Sequence, residues 1–503
     1  MILLWGENSS HYDMNWTVVT MRRKKIIRSL LGILIFSAIY FGMISWKIMK
    51  QPVAKAPKTK IASEIKYNVD EKQLKSFKKI RVLLLNDKNG QPFHKSITLK
   101  GKDGMEVTKG KKTMHFGKND TLTISEKDVK KSKMVIKSSK SSGKITIGSM
   151  EKQGISPSYR GKITLTYRKN KGIIMVNELG IEEYLYAVIG SEMPISYGKD
   201  ALKVQAVCAR TYAYRQIAEK SLGEYEADVD DSISYQVYNN VAETKETRAA
   251  VKETKGKVLT YKGEVIRAYY FSTSCGHTAS VEDVWQDGAV PYLTGKLQSK
   301  KEKNVDLSNE KAFRTFYKDK NFKCFDNKYP WYRWKTIISG QALGEHMKTC
   351  LEERYKKTPS FILTKQEDNA FVSKKISDIG KVKKLKVLKR GKSGIVKTME
   401  IVGSKKTIKV GAEYNLRVLL APVHETVYRA DNTQMEEMTL LPSGFFYVEK
   451  DAKKDLFYIY GGGYGHGVGL SQNGAKAMLD MGYSYEKVLK HYYPGSKIVS
   501  ILD

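Results

Sequence analysis

Between Ile80 and Glu178 the chain breaks into short runs: IRVLLLND, SITLKG, DTLTIS, MVIKS, KITIG, GKITLTYRK and GIIMVNE. Each is rich in β-branched residues and is split from the next by Gly, Asn, Asp or Lys. Segments so short and so punctuated suit strands rather than helices, and they predict a β-rich module of six or seven strands. At residue 181 the spacing changes. IEEYLYAVI places Ile181, Leu185, Val188 and Ile189 on one helical stripe. Gly190 reads as the terminator, and Pro194 forces Met193 away from helical angles. Glu192 is therefore expected just past a helix carboxyl end, where the partial negative charge raises its pKa.

A second helix is expected to begin near Lys199 to Ala201. Leu202, Ala206, Ala209 and Ala213 form its narrow apolar stripe. At 3.6 residues per turn, Lys203 and Arg210 fall within about 20° of each other on one flank. Gln205 and Tyr212 coincide on the other. Two roles are open for these polar groups: holding neighbouring loops, or binding substrate. For Glu192 the site reading is stronger, because helix capping needs no acid there. A further β-rich stretch is expected over 360–450, from KKLKVLKR, VKTMEIVG and KKTIKVG.

The 503 residues are 41% apolar, enough for a sizeable core. Lys and Arg outnumber Asp and Glu by 88 to 53, a formal charge of +35. Such a field favours an anionic environment, and location narrows which one. From Ser29 to Trp46 no residue is charged, near the length needed to cross a bilayer core. Arg22, Arg23, Lys24, Lys25 and Arg28 precede this run and keep the amino-terminal side cytoplasmic. No small-residue cleavage site follows, so the run reads as an uncleaved anchor rather than a signal peptide. With the body outside the cell, nucleic acid is not an expected partner. The basic surface is matched instead to anionic wall polymers, lipid head groups or glycan carboxylates, with a solvated Lys-rich face as the bland alternative for most of these charges.

SEMPISYGKDALKVQAVCARTYAY resembles the signature of the stage II sporulation protein D and amidase-enhancer family. Three further segments agree in order. DSISYQVY (Asp231 to Tyr238) is similar to an Asp-x-x-x-x-Gln-x-Tyr segment, and YFSTSCGHTASVEDVWQDGAVPYL to a Ser/Thr-rich one. GGGYGHGVGLSQNGAKAMLDMGYSYEKVLKHYYPGSKI is similar to the family's Gly-His-Gly motif and closing helices. The resemblance covers roughly 78–503. It implies a lytic transglycosylase that cuts peptidoglycan glycan strands, preferably denuded of stem peptides, and works beside an amidase. A non-catalytic, glycan-binding enhancer of an amidase is the alternative.

By that resemblance Glu192 is the acid/base. It would protonate the glycosidic oxygen, then take the proton of the C6 hydroxyl of N-acetylmuramic acid as a 1,6-anhydro ring closes. A hydrolase needs a second carboxylate, and none stands out in the matching motifs. Lys203, Gln205, Arg210, Tyr212, Gln236, Ser272, Thr273, His466 and Gln472 are the expected substrate-binding residues. The chemistry requires no cofactor. Cys275 and His277 offer two zinc-type ligands that His466 or Cys208 would have to complete; the other reading is a buried thiol beside a hydrogen-bonded imidazole. Trp331, Tyr332 and Trp334 suit sugar stacking, or a local core closed by a Cys324–Cys350 bridge, and the core is favoured.

The expected layout is α+β. A cytoplasmic tail (1–28), a transmembrane anchor (29–46) and a linker (47–77) precede an extracytoplasmic domain (78–503). Within it 78–180 is β-rich, 181–295 holds the catalytic helical segment, 296–335 is a basic insertion, 360–450 is β-rich, and 461–498 carries the Gly-His-Gly motif and closing helices.

Overall fold

The computed structural model describes residues 71–502, apart from 221, 240–242, 286–287 and 301–304. The apolar run 29–46 lies outside the described residues. Among those described, no helix is long and apolar enough to cross a membrane.

The fold is mixed α and β. The amino-terminal runs do form strands, arranged in a seven-stranded and a four-stranded sheet. Three amino-terminal strands were not foreseen: the two-residue Ser158–Tyr159, and Met105–Lys109 and Lys112–Phe116, which pair as a hairpin at the edge of the larger sheet. Their link, Lys109-Gly-Lys-Lys, and the exposed Lys112 and Thr113 hide the alternation in a polar stretch. Gly172–Gly180 is nearly all buried and runs between Lys79–Leu83 and Lys162–Arg168. Its last residue caps the helix that carries Glu192.

The helices of eight residues or more are α1 (Ile181–Glu192), α2 (Lys199–Glu219), α3 (Lys245–Glu253), α4 (Glu310–Lys318), α5 (Gly340–Lys357), α6 (Gln472–Asp480) and α7 (Tyr485–Tyr492). Gly190 does not end α1; the helix continues to Glu192, where Pro194 holds Met193 extended at φ −132° and ψ 131°. A helical glycine costs about 1 kcal/mol, which the buried face of Tyr184, Leu185, Val188 and Ile189 offsets.

The apolar stripe expected on α2 is only part of its buried surface. Leu202, Ala206, Ala209 and Ala213 face a core shared with the β module. Val204, Val207 and Cys208 face a second core, built with residues 259–493. The helix is thus a pillar buried all round. Arg210 and Thr211 sit inside because each meets acceptors there.

Two five-stranded sheets follow. One runs Phe371–Val372, Ile362–Lys365, Thr407–Gly411, Val396–Gly403 and Val382–Arg390; the other places Trp334–Ser339 between Val427–Arg429 and Leu456–Gly461. Trp334 is 1% exposed, and its indole N–H donates to the Gly463 carbonyl at 3.0 Å. Tyr332 is buried as well. Tyr332 and Trp334 thus form a local core while Trp331 stays half-exposed, and no bridge closes the segment: Cys324 and Cys350 are both free thiols. Cys350 lies on α5 beside His346. Cys324 is buried next to Tyr332.

Candidate active site

Glu192 is the last residue of α1 and is half-buried. Its Oε1 accepts the backbone N–H of Val237 at 2.7 Å, and the Tyr270 hydroxyl hydrogen-bonds to the same carboxyl. Burial of the carboxyl pushes its pKa up to about 7, while the two hydrogen bonds pull the other way. Desolvation, not the helix end, is thus the main cause of the shift that the sequence led us to expect.

The groups around it form a chain of donors. Gln236 Nε2 donates to the Tyr270 oxygen at 3.2 Å, which leaves the phenol's own hydrogen to point at Glu192. Tyr184 donates to Gln236 Oε1 at 3.2 Å. On the other side, Gln472 Nε2 donates to the Glu192 carbonyl at 2.9 Å and to Gln205 Oε1 at 3.3 Å. Gln205 is fully buried, and its Nε2 has no partner among the described residues. Gln205 is thus linked to Glu192 through Gln472, and a buried donor left unmatched there is costly unless a polar group meets it.

The sequence separates these residues widely, and a two-stranded parallel pairing reunites them. Tyr270–Phe271 lies beside Leu470–Ser471. The glycine-rich run between Tyr460 and Leu470 packs directly against the Ser/Thr segment. At Gly463 φ is 84°, and a Cβ would stand 2.9 Å from the Thr273 carbonyl, so only glycine fits. His466 accepts the Val468 N–H on Nδ1 at 3.1 Å, which puts its proton on Nε2 for the Tyr270 carbonyl, also at 3.1 Å. Burial lowers its pKa to about 3, so it is neutral. His466 therefore holds Tyr270 in place and has both nitrogens engaged.

Of the residues singled out in the sequence, Glu192, Gln205, Gln236 and Gln472 come together. Ser272 and Thr273 lie close by: Thr273 Oγ1 accepts Asn473 Nδ2 at 2.8 Å, and Asn473 in turn bonds the hydroxyl of Tyr197. Arg210 does not face a ligand. It is fully buried, paired bidentately with Glu182, and donates further to the carbonyls of Val251 and Lys257. Lys203 bridges Asp200 and Glu253 at the start of α2. Tyr212 is buried edge-on against Tyr269, with ring centroids 6.2 Å apart.

Cys275 and His277 are each engaged with a backbone carbonyl. The Cys275 thiol donates to the His277 carbonyl at 3.7 Å, and burial pushes it up to about 11. His277 Nδ1 is held by the Thr278 carbonyl at 2.7 Å. Among the described residues no group of three or more His, Cys, Asp or Glu is placed to hold a metal ion. Cys208, considered as a further ligand, lies against the Tyr493 hydroxyl.

A second carboxyl that the motifs did not reveal is Asp326, inside the basic insertion. It is fully buried, and burial raises its pKa to about 6. Oδ1 accepts the Ser274 N–H at 2.9 Å and the Ser471 hydroxyl at 2.5 Å; Oδ2 accepts the Ser274 hydroxyl at 2.6 Å. Both oxygens are occupied in tying the Ser/Thr segment to the start of α6. Tyr270, Tyr197 and Asn473 were also missed. Only Tyr270 carried a signal, as a phenol immediately before the Phe-Ser-Thr run.

Residues 169–261 match the family model described as stage II sporulation protein, and residues 279–469 match a domain of unknown function. The amidase enhancer of Bacillus subtilis (strain 168) is 32% identical over 324 residues, covering 63% of this chain and 40% of that protein. The stage II sporulation protein D of the same organism is 28% identical over 338 residues, 64% of this chain and 75% of that one. That of Bacillus amyloliquefaciens is 26% identical over 344 residues, with 64% and 75% covered. The chain thus spans less than half the length of the amidase enhancer.

Proposed function

We propose that this chain, which belongs to the stage II sporulation protein D and amidase-enhancer family, is a lytic transglycosylase of peptidoglycan glycan strands. The observation that carries the reading is Glu192: a carboxyl at about pKa 7, aimed by Val237 and Tyr270. Near neutral pH such a group both gives and takes a proton. Protonated Glu192 donates to the glycosidic oxygen as the C1–O bond breaks. The C6 hydroxyl oxygen of the N-acetylmuramic acid residue then bonds to C1, and its proton returns to Glu192. No water enters, and no second carboxylate is needed. Asp326 supports this assignment, because its oxygens are already occupied by Ser274 and Ser471.

The similarity to an amidase enhancer favours a second reading, in which the same site binds glycan and recruits or stimulates an amidase without cutting. One experiment separates the two. Purified full-length chain is incubated with glycan strands lacking stem peptides, and the products are analysed by mass spectrometry. Fragments with 1,6-anhydro-N-acetylmuramic acid ends are expected. Glu192→Gln keeps the shape but cannot transfer the proton, so turnover should fall about 10²–10⁴-fold with binding retained. Reducing ends would mean hydrolysis. Binding without cutting by both proteins would establish the enhancer reading. The proposed location is the outer face of the plasma membrane, anchored by the run Ser29 to Trp46, where anionic wall polymers meet the chain's +35 charge.

A further inference from the structure

Thirteen arginines lie in the described part of the chain, and twelve have a hydrogen-bond or ion-pair acceptor for their guanidinium. Arg429 is the exception. Its Nε is buried with no partner among the described residues. The nearby carboxylate of Asp431 feels the charge but is turned onto Thr433, whose N–H it accepts at 3.1 Å. The Arg429 guanidinium rests 5.2 Å from the ring centre of Trp331, which stacks on Tyr464 at 4.5 Å and 28°. A planar cation over an indole, with its Nε unmatched and no carboxylate hydrogen-bonded to it among the described residues, is prepared to take one.

The position says which anion. Tyr464 belongs to the glycine-rich motif, and its backbone pairs with Thr273 in both directions. Thr273 connects through Asn473 to Tyr197, five residues beyond Glu192. Tyr329, two residues before Trp331, lies 6.4 Å from the Tyr197 ring. Tyr197, Tyr329, Trp331 and Tyr464 are all half-exposed. Aromatic rings and hydroxyls therefore run from Glu192 toward Arg429, the surface a sugar chain needs.

We infer that Arg429, supported by Trp331, is a subsite for the free lactyl carboxylate of N-acetylmuramic acid. This rests on the reading of the Glu192 site as a glycan site, though not on whether it cuts. Removal of a stem peptide is the reaction that exposes this carboxylate, so the subsite reads whether that peptide has gone. It also gives a role to the segment 279–469, whose matching domain has none assigned.

The test measures binding in the full-length Glu192→Gln background, so cleavage does not enter. Two probes are used: glycan oligomers with free lactyl carboxylates, and the same oligomers with those carboxyls amidated. The parent should prefer the free-acid probe. Adding Arg429→Gln should weaken that probe about ten- to a hundredfold, the range for lost charge-assisted hydrogen bonds, and change the amidated probe less than twofold. Arg429→Lys should fall between, keeping charge but not the planar fork. Thermal melts check folding; if Arg429→Gln does not fold, the parent's preference and the Lys variant decide. Equal losses on both probes, no loss, or a parent indifferent to amidation would overturn the inference. So would an Arg429 dependence confined to a poly(glycerol phosphate) probe. A wild type that binds without cutting would remove the transglycosylase reading and leave this one standing.

Discussion

Burying Glu192 couples its proton to the stability of the fold. Its folded pKa of about 7 lies above the ordinary 4.5. Below 4.5 both folded and unfolded chains hold the proton. Between 4.5 and 7 the unfolded chain loses it first, so stability falls as pH rises through that window. Relative to Glu192→Gln, the wild type should lose up to about 3 kcal/mol across it, read from denaturant melts at several pH values. A constant difference between the two proteins would mean that the carboxyl is not desolvated. On the proposed mechanism the protonated form is the active one, so turnover should also fall about tenfold per unit above pH 7. Glu192, Gln236 and Gln472 were legible because they sit in recognisable motifs with polar side chains that no local element requires. Asp326 was not, since its partners Ser274 and Ser471 are distant in sequence and a lone Asp in a Lys-rich stretch looks solvated.

Helices α1, α2 and α3 are joined through one side chain. Arg210 on α2 reaches Glu182 on α1, Val251 on α3 and the Lys257 carbonyl beyond it. Arg210→Ala strands a half-buried carboxylate and several acceptors, and should cost about 3–5 kcal/mol. Arg210→Lys should recover little of this, because an ammonium cannot match the bidentate geometry. Urea unfolding checks both; an unchanged midpoint with weakened glycan binding would return Arg210 to the ligand side. Sequence pattern misread α2 for the same reason. Gln205 and Arg210 look like the polar borders of an amphipathic helix, yet both are fully buried, Arg210 paired with Glu182 and Gln205 held through its oxygen alone. The α1 boundary was misread because Gly190 was weighed above Pro194, and the proline decides where helical angles stop.

Across the whole chain the charge of +35 is only partly a matter of partners. Val382–Arg390 is an edge strand, and its exposed Lys383, Lys384, Lys386 and Lys389 discourage pairing with another sheet. For the proposed topology, protease added to intact protoplasts should digest the chain beyond Lys50; full protection would place the body inside. The course of the chain through the site has a further meaning in time. Glu192 meets Gln472 across 280 residues, and Tyr270 is aligned only when the strand Leu470–Ser471 lies beside it. Synthesis runs from the amino terminus, so a nascent chain presents its acid long before the groups that aim it. On the proposed mechanism a copy that stops short of Leu470 is therefore latent, and cutting waits until residues 470–472 have been made.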